Sequence, residues 1–126
     1  MAFDWNDYKI FAEELNATRT DEAAQRSAIS RVYYAVFNQA YDYLRAQGFA
    51  RRAGEGIHKQ VWYEYRKGHR TRKAIGTNGS RLHDNRVAVD YQADVPKLPE
   101  LQIESFRTAA NLFAYLAQLQ QEESRH

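Results

Sequence analysis

His83 and Arg86 stand three residues apart, one turn on a helix, so an imidazole and a guanidinium there could grip one phosphate together. The plain alternative is a histidine on a solvated helix face. Arg86 and Asp90 are four apart, the spacing of an intrahelical ion pair. Arg52 and His58 flank five residues, but they lie across a loop bearing Gly54 and Gly56, and their match to an Arg-then-His pattern reads as accidental. Histidine could move a proton near neutral pH and arginine could hold a phosphate, which is the equipment of metal-independent phosphodiester chemistry. Asp90 is a poor stand-in for a histidine, since a carboxylate beside phosphate is repelled and titrates far from neutrality. The weak catalytic candidates are therefore Arg86, His83 and His58.

Other chemistry is excluded or poorly supported. No cysteine is present, which removes disulfides and thiolate zinc sites. No His/Asp/Glu spacing argues for a metal, and Gly54-Glu55-Gly56 lacks the strand and further glycines of a nucleotide-binding turn. Neither a metal nor a cofactor is expected. The charge is segregated. Residues 51–86 carry 10 Lys/Arg against 3 Asp/Glu, a balance of +7, while the flanking segments are acidic and the whole chain is only +2. Arg66, Lys67, Arg70, Arg72, Lys73 and Arg81 make this segment a candidate anion or RNA-binding face; a solvated, arginine-rich surface is the other reading.

The elements that must position these groups read as helices in one domain over residues 1–126. A first helix is expected from Asp4 to about Asn16, where Trp5, Tyr8, Phe11 (with Ala12) and Leu15 recur at helical spacing. A long second helix starts near Thr20, with Asp21 and Glu22 at its positive end, and stops at Gly48. Ile57, Val61, Trp62 and Tyr65 suggest a short helix ending near Gly68, and residues 66–73 read as a basic connection. A fourth helix is expected from about Arg72 to Val89, where Gly76 and Gly79 are unfavourable but Gly79 would allow close approach. Pro96 and Pro99 bracket a linker, and a last helix from about Glu100 to Glu122 would bury Ile103, Phe106, Ala110, Phe113, Leu116 and Leu119. The expected fold is all-α, an antiparallel bundle of four main helices plus one short helix.

Within the long helix, Ser30-Arg31-Val32-Tyr33-Tyr34-Ala35-Val36-Phe37-Asn38-Gln39-Ala40 is the most specific segment. It resembles the signature of the HEPN superfamily. His58-Lys59-x-Val61 after a glycine-bearing loop, Leu82-x-x-x-Arg86-x-x-x-Asp90-Tyr91, and a final helix with paired alanines follow in that family's order, over roughly residues 20–120. The second of these resembles the Arg–Asp-Tyr ending of one HEPN branch. Independently of the name, buried tyrosine hydroxyls need partners, which Arg86 or Asp90 on a facing helix could supply. Ser30, Arg31, Tyr34, Asn38, His58, Arg86, Asp90 and Tyr91 are thus the expected polar network, structural or lining a groove.

The resemblance implies an RNA- or partner-binding protein, paired with a nucleotidyltransferase in a toxin–antitoxin or defence setting. Active HEPN ribonucleases carry an arginine followed after four to six residues by a histidine; here Arg86 is followed by Val87 through Gln92 with no histidine. Standard ribonuclease activity is therefore not expected. The alternatives are a divergent metal-independent endoribonuclease using Arg86 with a histidine from elsewhere, and a purely structural dimerisation bundle. A homodimer is expected from family habit and from the nine Tyr, six Phe and two Trp in so small a chain. With no membrane span and no basic-then-apolar start, a cytoplasmic location is expected.

Overall fold

In a computed structural model, which describes residues 2–125, the chain is all-helical: α1 (Asn6–Thr18), α2 (Glu22–Ala46), α3 (Ile57–Arg66), α4 (Arg70–Tyr91) and α5 (Leu98–Ser124). Three of the starts have a local cause in the sequence. The Asp4 carboxylate accepts from the Asn6 N–H at 2.9 Å ahead of α1, and Asp21 accepts from the Ala24 N–H at 3.2 Å to cap α2. Gly48, with φ +96°, ends α2 in the left-handed conformation that glycine adopts without a Cβ clash. Pro99 lies in the first turn of α5, where a missing N–H costs nothing, so the linker before that helix is shorter than the two prolines imply.

Side-chain ties set the directions. Arg26 near the start of α2 donates to the carbonyls of Val89, Gln92 and Ala93 at the end of α4, at 2.7–2.9 Å, so the two helices run antiparallel. A cation on those unpaired carbonyls also suits the negative end of the α4 dipole. At the opposite pole, Arg72 early in α4 grips Glu123 late in α5 through two contacts of 2.7 Å, and Tyr43 and Gln47 late in α2 donate to the same carboxylate. α4 and α5 are therefore antiparallel, while α2 and α5 run the same way. The core between them is built from Val32, Val36, Leu44, Val61, Ile75, Leu82, Leu112 and Leu116. A smaller cluster of Ile29, Val89 and Leu98 pins the α4–α5 connection.

Two expectations from the sequence are corrected. The basic stretch 66–73 is not a connection: Arg66 ends α3, and Arg70 to Lys73 form the first turn of α4, leaving residues 67–69 to join them. A turn reading Arg-Thr-Arg-Lys shows no apolar period, so its helicity is hidden in the sequence. In the first half of α5 the inner face is also rotated by about one residue: Ile103 is 61% exposed and Ala110 faces water, whereas Gln102, Ser105 and Ala109 are buried. Leu116 and Leu119 are buried as expected, and Phe106 and Phe113 pack half-buried against the core. Gln102 and Ser105 can face inward because Asn16 accepts from the first and Asn85 donates to the second.

Candidate functional site

α2 passes Tyr33 and Tyr34 between α3 and α4, and the two neighbours go to different networks. Tyr34 takes part in a lock with α4. Arg86 donates to its hydroxyl and, through Nε at 2.8 Å, to the Asp90 carboxylate. Ser30, one turn before Tyr34 on α2, donates to the same carboxylate oxygen at 3.1 Å. The Arg86 guanidinium also lies 4.8 Å from the Tyr34 ring centre and 5.6 Å from that of Tyr91, whose own ring is 73% exposed. Arg86 is thus engaged on several sides and its side chain is only 12% exposed.

Tyr33 belongs to a second network. It is fully buried, accepts from the Trp62 indole N–H at 3.1 Å, and lies 2.6 Å from His58 Nδ1. Trp62 can only donate, so the Tyr33 proton has no partner in this network other than His58 Nδ1, and pairing the two assigns the proton of neutral His58 to Nε2. Its ring stacks on Phe37 at 4.0 Å and on His83 at 5.0 Å. Burial, then the charges of His83 and Arg86, push the His58 pKa down to about 4. His83 is lowered as well, by burial first and by Arg86 next, with Asp84 opposing. At neutral pH both imidazoles are uncharged. Burial conversely raises the Tyr33 hydroxyl, which stays protonated.

Trp62 reaches this position because α4 carries no side chain where the ring lies. A Cβ on Gly79 would fall 2.2 Å from the indole, and one on Gly76 would fall 2.6 Å from the Trp62 carbonyl oxygen. The two glycines that look unfavourable within a helix let α3 and α4 touch, and so carry His58 up to His83.

Beside this pair, the 49–56 loop, α3 and α4 enclose an open cleft of about 730 Å³, lined by Arg52, Lys59, Trp62, Tyr63, Arg66 and His83, with Glu55, Ser80 and Asp84. The buried Gln60 holds the loop in place: its amide accepts from the Arg52 N–H at 2.7 Å and donates to the Arg52 and Glu55 carbonyls at 2.8 and 2.9 Å.

The fold brings together Ser30, Tyr34, Arg86, Asp90 and Tyr91, and sets His58 on His83 next to them. Arg31 lines a shallow recess with Ser30, Tyr34 and Asp90, and lies 5.2 Å over the Tyr8 ring. Asn38 instead donates to the Tyr34 carbonyl of its own helix. The basic candidates disperse. Arg66 faces the cleft, Lys67 pairs with Glu64 at 3.1 Å, Arg72 is taken by Glu123, and Arg70, Lys73 and Arg81 are exposed on α4. Tyr63 and Ser80 carry no mark of their own in the sequence, Arg52 reads there only as an accidental match with His58, and Tyr33 stands out only as part of the Ser30–Ala40 segment. One signal was present, since Lys59, Tyr63 and Arg66 recur at the spacing of one helix face. Among the described residues, no three His, Asp or Glu side chains are grouped to hold a metal ion, and no helix is long and apolar enough to cross a membrane.

Comparison of the chain with protein-family models, curated proteins and solved structures returns no match.

Proposed function

We propose that this chain is a HEPN-like domain that binds RNA or a partner and lacks standard HEPN ribonuclease activity. The observation that carries the reading is the lock itself: the two segments behind the family resemblance, Ser30–Ala40 and Arg86–Tyr91, meet through Ser30–Asp90 and Tyr34–Arg86. In this arrangement Arg86 joins helices instead of waiting for a phosphate, and no histidine follows it on α4. RNA is the occupant favoured by the cation excess of residues 51–86, which persists after Arg72 and Arg86 pair with Glu123 and Asp90 from outside that segment and which phosphate would neutralise. A nucleotidyltransferase partner in a toxin–antitoxin or defence system, and a cytoplasmic setting, accompany the reading through the resemblance alone.

A second reading, a divergent endoribonuclease, is favoured by the stacking of His58 on His83 close to Arg86. His83 would be its base, because it is unprotonated at neutral pH while the Nδ1 of His58 is already occupied by Tyr33. One experiment separates the readings. Purified wild type and Arg86→Ala protein are incubated with total RNA without metal, scoring both cleavage and retention of a labelled RNA. Retention without cleavage supports the binding domain. Cleavage that disappears in the variant supports the endoribonuclease. Neither retention nor cleavage removes the endoribonuclease and the RNA-binding form of the first reading, and leaves a partner-binding or purely structural bundle.

A further inference from the structure

The lock does not use the cleft beside it, and the chemistry of that cleft is of a different kind. Its volume of about 730 Å³ lies within the roughly 300–1,000 Å³ of sites that take nucleotide-sized ligands. Two cations face it from α3. Among the described residues, neither Lys59 nor Arg66 forms an ion pair within 4.0 Å, and Arg66 donates to the Ser80 hydroxyl rather than to a carboxylate. Arg52 from the loop reaches Glu55 only at 3.9 Å, with both side chains more than half exposed, so that pair yields readily. Tyr63 stands between Lys59 and Arg66 on the same helix face, 51% exposed, with only the mobile ammonium of Lys67, 5.6 Å from its ring centre, for a stacked base to share or displace.

The cleft is not a simple anion hole, because Glu55 and Asp84 line it too. Two carboxylates would oppose a bare phosphate. A nucleotide fits the mixture, since its phosphate suits the cations, its flat base suits an aromatic face, and the amino or imino donors on its base edge suit a carboxylate. A base can enter such a cleft only if it is unstacked from its neighbours, which points to a single strand.

We infer that this cleft binds a nucleotide of single-stranded RNA, with Lys59 and Arg66 holding the phosphate, Tyr63 stacking on the base, and Glu55 or Asp84 receiving its donor edge. This rests on the RNA reading above, and deepens it by placing the strand on the α3 side rather than along the basic first turn of α4.

The test uses the full chain and a fluorescein-labelled ten-nucleotide single-stranded RNA of mixed sequence. Competitors are free nucleoside monophosphates and a blunt duplex of the same sequence. Lys59→Gln with Arg66→Gln keeps much of the aliphatic stems, including the part of Arg66 lying on Gly76, and helical content by circular dichroism verifies folding. This pair is expected to weaken binding about tenfold or more, and to lower the salt slope by about 0.7 for each lost phosphate contact. Tyr63→Ala is expected to cost about tenfold. Arg70→Gln with Lys73→Gln removes the same charge outside the cleft and is expected to change affinity less than about threefold. Competition by monophosphates alone would assign the cleft to free nucleotides instead of RNA. Equal losses from the two charge pairs, equal competition by duplex, or no effect of Tyr63→Ala would overturn the cleft while leaving RNA binding intact. No binding by wild type would overturn the RNA reading itself, and the cleft with it.

Discussion

With Trp62 donating to Tyr33 and the Tyr33 hydroxyl donating to His58, that direction limits what the histidine can do. With Nδ1 occupied, His58 offers only an Nε2–H donor, and a proton added to the ring would face the Tyr33 hydroxyl hydrogen and the Arg86 charge. In the unfolded chain the same imidazole titrates near 6.5. Between that value and about 4, the unfolded state binds a proton that the folded state refuses, so stability is complete above pH 6.5 and is lost as pH falls toward 4. His83 is shifted in the same direction. Lowering the pH from 7 to 5 is expected to reduce the unfolding free energy by on the order of 1 kcal/mol for His58, allowing for its partial exposure. Urea titrations at several pH values check this. His58→Gln, whose amide oxygen can still accept from Tyr33, should flatten the dependence, and an unchanged slope would contradict the account. From sequence, Tyr34 and Arg86 could be expected to meet because a buried hydroxyl needs a partner. Tyr33 could not be assigned, because Trp62 reads in the sequence as apolar core and nothing marks its indole N–H or His58 as facing that hydroxyl.

At the scale of the helix, α4 sets propensity against contact. Glycine within a helix costs roughly 1 kcal/mol relative to alanine, so Gly79→Ala on an isolated helix would stabilise it. Here the added methyl would meet the Trp62 ring at 2.2 Å in a filled core, and overpacking of that kind costs about 1–3 kcal/mol. The contact wins, and Gly79→Ala is expected to destabilise the protein by about 1–2 kcal/mol on balance, measured by urea unfolding followed through tryptophan fluorescence. A gain in stability would show that α3 can retreat. The same helix shows why sequence patterns reach only part of the fold. Its middle was visible through Ile75, Leu82 and Val89, while its first turn, built from Arg70 to Lys73, was not. In α5 the apolar residues Ile103 and Ala110 mark a plausible inner face. The true face carries Gln102 and Ser105, whose partners on α1 and α4 cannot be known before the bundle is assembled.

For the whole molecule, helix class and helix number followed from periodicity, but the surface left over did not. Phe3, Ile10, Phe11, Tyr91 and Ile103 remain between 46% and 73% exposed, and self-association is the expectation that the aromatic content of the sequence raised. Light scattering at micromolar concentration is expected to return twice the chain mass, and a monomeric mass would count against self-association. The joint between the long bundle and its short helix has a consequence of another kind. Arg51-Arg52 lies in an irregular, solvent-exposed loop, a sequence that trypsin favours. A protease must draw its substrate into an extended strand, using the backbone N–H and carbonyl groups around the cut, and both of these groups on Arg52 already belong to the Gln60 amide. Gln60 therefore serves the loop as a single rung of sheet inside an all-helical protein. Limited trypsin digestion should spare this dibasic site in the folded chain, the Arg52 amide should exchange slowly with deuterium, and Gln60→Ala should open both.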